Sequence, residues 1–89
     1  MSDKVTQEQV DNSIKELSFT KVGTKTCLGL AILHNGFEIL EHASCVSAEN
    51  YNEEIAKPII EKRIKDKIWF LLGYELQEKL HNERKRDSE

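Results

Sequence analysis

Lys57, Lys62, Arg63, Lys65 and Lys67 crowd into one short stretch whose only acids are Glu61 and Asp66. The chain around them is acidic overall, with 13 Lys+Arg against 16 Asp+Glu and a formal net charge of −3. A cationic segment inside an acidic protein can hold a small anion, because ammonium and guanidinium groups donate strong hydrogen bonds to phosphate or carboxylate oxygens. The plainer reading is a solvated helix face laced by i,i+4 pairs such as Glu61–Lys65. Residue types alone favour the plainer reading without excluding the other.

Covalent chemistry finds less support. Glycine-rich phosphate loops are absent, and no Ser/His/acid set can be assembled. Cys45 near His42 is the closest approach to a nucleophile and base, but on a strand those two positions point to opposite faces. Glu53 and Glu54 read as favourable charges at a helix N-terminus, not as paired catalytic carboxylates. His34, His42 and His81 are scattered and the two cysteines have no metal-ligand spacing, so no metal site and no cofactor is expected. Trp69 and Tyr74 are compatible with either packing or stacking, and for Trp69, flanked by "KI" and "FLL", core packing is favoured over stacking on a base.

The elements that must position these groups follow from periodicity. Val5, Val10, Ile14 and Leu17 recur at helical spacing behind a Thr6–Gln9 capping box, which predicts a short helix over about 6–16. "LSFTKV" alternates as a strand and ends at Gly23. Asn35-Gly36, between two apolar runs, predicts a type I′ hairpin. That turn pairs Ile32 with Ile39, Leu30 with Glu41, Leu28 with Ala43 and Cys27 with Ser44. Cys45 then points to the opposite side from Cys27, so an intrachain disulfide is not expected. Both faces of the ribbon carry apolar residues, and one helix covers only one.

Ser47 reads as the N-cap of a long helix. Ile55, Ile59, Ile64, Ile68, Leu72, Leu76 and Leu80 give it a stripe that drifts about 40° for each step of four residues. Pro58 and Gly73 are its weak points. The fold class is α+β: a short N-terminal helix, an antiparallel meander with an Asn-Gly hairpin, and a long C-terminal helix. Residues 1–80 form a single domain, and 81–89 are expected to be a charged, flexible tail.

Composition bounds the rest. With 38% hydrophobic and 33% charged residues the chain is polar but not disordered in composition. A domain this short buries only ~60–65% of its unfolded surface, so oligomerisation is an available way to complete the core. The net charge argues against a nucleic-acid polymer as partner. No apolar run approaches the ~20 residues of a membrane span, and "MSDKVTQEQV" carries no secretory h-region, so a cytoplasmic location with reduced thiols is expected.

Taken in order, Thr26-Cys27, Asn35-Gly36-Phe37, Ser44-Cys45-Val46, Ser47-Ala48-Glu49-Asn50-Tyr51, Lys67-Ile68-Trp69 and Gly73-Tyr74 resemble the small tailed-phage protein family named after gene sixty-six of a Shigella phage and its coliphage relative. The resemblance covers about Val5 to Leu80. Ala48 stands where the family has a proline, and Pro58 where it has a helix former. The family is in turn similar to the Thoeris anti-defence sponge, a phage protein that binds a cyclic ADP-ribose signal without cleaving it. What that implies is a non-enzymatic protein of the host cytoplasm. It would be a homo-oligomer, dimer or hexamer, holding a small anionic nucleotide-derived ligand between subunits. Phe37, Asn50, Tyr51, Lys57, Arg63, Lys65 and Lys67 are the residues that could supply cations, amides and flat side chains to it. A protein-binding inhibitor of a host enzyme and a structural oligomerisation module remain the alternatives.

Overall fold

The computed structural model describes residues 4–87, with side chains through residue 84. The element order is α1 (Gln7–Ser13), β1 (Ile14–Val22), β2 (Thr26–Leu33), β3 (Glu38–Ser44), a single 3₁₀ turn (Ala48–Asn50) and α2 (Glu53–Asp87). The strands form an antiparallel meander in the order β1-β2-β3, and the architecture is the expected α+β one. Among the described residues, no helix is long and apolar enough to cross a membrane.

The capping box at α1 forms as its sequence implies. Thr6 Oγ accepts from Gln9 N at 3.2 Å, and Gln9 Oε1 accepts from Thr6 N at 2.9 Å. The helix is shorter than its apolar spacing suggested. Ile14 and Leu17 belong to β1, where pairing with Leu33 and Ala31 of β2 outcompetes a marginal seven-residue helix. Lys15 is the extra residue at the register shift between Ile14 and Glu16.

The hairpin sits where expected but closes differently. Leu33 N donates to Phe37 O at 2.8 Å and Gly36 N to Leu33 O at 2.9 Å, leaving a three-residue loop, His34-Asn35-Gly36. Gly36 has φ 91°, whereas Asn35 is not left-handed, which excludes a type I′ turn. Asn35 instead turns its Oδ1 to accept from Phe37 N at 3.0 Å. The added loop residue moves the pairing by one: Ala31 faces Ile39, Gly29 faces Glu41 and Cys27 faces Ala43. Cys45 N donates to Lys25 O at 3.0 Å and continues this register, so Cys45 lies on the same side of the sheet as Cys27. Both cysteines are free thiols.

The side of β2 with the smaller residues is the one that is covered. Cys27, Gly29, Ala31 and Leu33 of β2 are buried in strict alternation with half-buried neighbours. Ile60, Ile64 and Ile68 of α2 lie fully buried above them, joined by Val10 of α1 and Ile39 of β3. A floor of small side chains lets the helix approach, and the β-branched isoleucines fill the space to native density. Each such side chain contributes ~1.5–3 kcal/mol by burial. Ile55 and Ile59, counted in the sequence stripe, remain exposed one face away.

Ser47 caps only the 3₁₀ turn, accepting from Glu49 N at 3.3 Å. The N-cap of α2 is Asn52, whose Oδ1 accepts from Glu54 N at 2.9 Å. From there α2 runs through Pro58 and Gly73 without interruption. The charged run from His81 continues the helix to Asp87, with residues 81–84 exposed, and positions 88 and 89 lie outside the described residues.

Candidate functional site

The five cations of α2 between Lys57 and Lys67 leave the helix in different directions, and each finds a partner in its own chain. Lys57 approaches Glu53 at 4.0 Å and stands 5.6 Å from the Phe19 ring centroid, on the β1 side. Lys65 turns to α1, pairing with Asp11 at 3.0 Å and Glu61 at 3.9 Å. That hydrogen bond is the main reason Asp11 is held below the ordinary aspartate range. Arg63 and Lys67, one turn apart, both face β3. Arg63 Nη1 donates to the His42 carbonyl at 2.6 Å, covering part of an open sheet edge. Lys67 pairs with Glu41, a carboxylate largely enclosed on the covered side of the sheet. Lys62 bonds Asp66 at 3.0 Å in solvent. The basic stretch is therefore spent mainly on tying α2 to its neighbours. Arg63 retains most of its five donors.

Two concavities take in the rest of the sequence-derived candidates. At the hairpin end, a groove of about 500 Å³ runs between β3 and α2, lined by Phe37, Glu38, Ile39, Asp66, Lys67, Phe70 and Leu71. Phe37 is 52% exposed and Phe70 79%, so two aromatic rings border it. At the other end a small pocket of about 100 Å³ is bounded by Asn50, Tyr51, Asn52, Lys25, Cys45 and neighbouring apolar residues. Within one chain, Phe37 and Lys67 share the first concavity, and Asn50 and Tyr51 the second. Lys57, Arg63 and Lys65 line neither. Phe70 was not singled out by sequence because it sits inside the apolar run "WFLL", where spacing cannot tell an inward residue from an outward one. Trp69 packs partly against the core as expected, while Tyr74 is 67% exposed.

Tyr51 carries the clearest electrostatic signature. Lys21 Nζ lies 4.8 Å from its ring centroid, a cation–π contact. The hydroxyl is enclosed without a hydrogen-bond partner, the one such buried side-chain atom among the described residues. Burial, followed by the Cys27 thiol nearby, pushes its pKa from 10.0 up to about 12. The Cys27 thiol points instead to the Leu28 carbonyl at 3.7 Å, so proximity does not amount to a bond with good geometry. The sign of the linkage follows. The fold favours the neutral phenol, so this group's stabilisation is intact below about pH 10 and is lost as pH rises towards 12. Urea midpoints for wild type should fall more steeply over that range than those of Tyr51→Phe. At pH 7 the Phe variant should be at least as stable as wild type, since it removes an unsatisfied hydroxyl. Equal alkaline slopes would contradict this account.

Among the described residues, no group of three or more His, Cys, Asp or Glu side chains is placed to hold a metal ion. The pattern of the phage protein (N4 Gp49/phage Sf6 gene 66) family matches residues 5–80. No curated protein and no solved structure matches the chain.

Proposed function

The chain belongs to the phage protein (N4 Gp49/phage Sf6 gene 66) family, and from that premise we propose that it is a non-enzymatic accessory protein which sequesters a nucleotide-derived immune signal in the host cytoplasm. The ligand is a cyclic ADP-ribose or cyclic nucleotide type of molecule, held by a homo-oligomer and returned intact. The observation that carries this reading is the groove at the hairpin end. Phe37 and Phe70 offer aromatic faces to a base, and Lys67, with Arg63 one turn away, offers cations to phosphates. Residues scattered over one chain come together only if a second subunit brings its hairpin end to a neighbour's helix. A sponge requires affinity and no bond cleavage, which fits a chain without an assignable nucleophile and base.

The test is calorimetry of the folded protein with cyclic ADP-ribose isomers and cyclic di- and trinucleotides, followed by chromatography of the heat-released ligand. Saturable heat with stoichiometric, intact recovery is expected. No heat across these classes would replace the sponge with a protein-binding inhibitor of a host enzyme or a structural oligomerisation module. Recovery of a cleaved ligand would make the protein an enzyme.

A further inference from the structure

The side of the sheet turned away from α2 is apolar down its middle and has no cover among the described residues. Leu28, Leu30 and Ile32 of β2 are only half-buried there, and Leu40 of β3 is 57% exposed. Cross-strand register orders this face in rows: Thr20–Leu28–His42, then Ser18–Leu30–Leu40, then Glu16–Ile32–Glu38. Hydroxyl and imidazole flank the apolar stripe at one end, and two carboxylates flank it at the other.

We propose that this face is the docking surface for a second copy of the chain, stacked sheet on sheet about a two-fold axis that crosses the strands at the level of Leu30. That operation sets Leu30 on its own equivalent and Leu40 on its own equivalent. Ile32 meets Leu28 of the other copy, Glu38 meets His42 and Glu16 meets Thr20. Every apolar residue of the stripe gains an apolar partner, and every carboxylate gains a donor. The alternative axis, along the strands, keeps each row opposite itself and gathers Glu16 and Glu38 of both copies into one cluster. Like-charge juxtaposition of that kind disfavours the second arrangement. An isologous contact needs a self-complementary patch, and this face is one.

Size fits a second copy as well. At ~3.3 Å per residue and ~4.8 Å between strands, the face measures roughly 23 Å by 14 Å. The two faces together present on the order of 650 Å² in projection, which side-chain relief raises towards the low end of the range for a specific interface. Stacked sheets would lie ~10 Å apart with their side chains interleaved. The covered side of the sheet, the α2 cations and the rings of Phe37 and Phe70 stay free in this arrangement, and Glu38 is the residue it shares with the groove lining. The interface is thus distinct from the contact of hairpin end with helix on which the proposed ligand site rests.

The test is sedimentation velocity over a concentration series of the full chain without ligand, with circular dichroism as a check on folding. Wild type should show a reversible monomer–dimer equilibrium. Leu30→Lys changes only the open face; it should keep the spectrum and weaken association at least about tenfold. His42→Glu sets acid against Glu38 and should weaken association comparably, while the double variant Glu38→His, His42→Glu should restore it. A monomeric wild type at high micromolar concentration would overturn the proposal. So would an association unaffected by Leu30→Lys, or a charge reversal that fails to restore it. An oligomer that forms through another surface and still binds a cyclic ligand would remove this interface and leave the proposed function standing; a dimer that binds none would do the reverse.

Discussion

Replacing Gly29 with alanine is expected to lower the stability of the fold by about 1–3 kcal/mol, despite the modest size of the change. A Cβ at position 29 would collide with Ile60 Cγ2 and touch the Phe19 ring at 3.4 Å. The obstructing methyl sits on a β-branched side chain close to the helix backbone, so it cannot swing away. The helix itself must lift, and lifting it strips contacts from Ile64 and Ile68 as well. Ile60→Ala alone should cost ~2–5 kcal/mol through lost burial and a residual cavity. The double variant should cost less than the sum of the two, because alanine at 60 removes the methyl that alanine at 29 meets. Urea denaturation with an unchanged m-value reads all three. Wild-type stability in Gly29→Ala would mean that α2 does not rest on this part of β2. The consequence reaches function, because Lys67 and Phe70 ride on the same helix and face Phe37 across the groove.

Ligand affinity in the proposed sponge should fall by roughly one to two orders of magnitude when Arg63 or Lys67 is replaced by alanine, since a charge-assisted contact is worth ~1.5–3 kcal/mol. Phe37→Ala should produce a loss of the same order, because base–aromatic stacking contributes ~1–3 kcal/mol. Lys65→Ala should behave differently. Its ammonium is committed to Asp11 and Glu61, so its loss should loosen the seat of α1 and leave affinity nearly unchanged. Lys79→Ala serves as a control, being exposed and paired with Glu75 at 3.4 Å. Calorimetry with a cyclic nucleotide that binds wild type reads these differences, with circular dichroism confirming that each variant folds. Equal affinity in Arg63→Ala, Lys67→Ala and wild type would remove both cations from the site. A large loss in Lys65→Ala alone would move the site to the α1 side of the helix.

Local signals in the sequence were read well where a few neighbouring residues decide the outcome. Thr6 and Gln9 specify the capping box, Asn35-Gly36 specifies a reversal between two strands, and the apolar spacing after Tyr51 specifies a long helix. The ordered segments from Thr26 to Tyr74 likewise placed the chain in its phage family without any coordinates.

Other features were settled only by contacts distant in sequence. Asn-Gly is compatible with a two- or a three-residue loop, and the extra residue changed every β2–β3 pair and put Cys45 on the side of Cys27. Ile14 and Leu17 fit a helix as well as a strand, until β2 offered backbone partners. Within β2 the Leu28, Leu30, Ile32 side is the bulkier, yet α2 covers the side of Cys27, Gly29 and Ala31, where Leu17 and Phe19 of β1 and Ile39 of β3 complete the apolar surface. Close approach gains more contact than large side chains on both surfaces would allow. The basic stretch shows the same limit. Its charges are plain in the sequence, but their partners Asp11, Glu41 and the His42 carbonyl lie on three other elements. Local propensity is a sum over near neighbours and can be counted along the chain. Packing is a sum over surfaces that exist only once the elements meet.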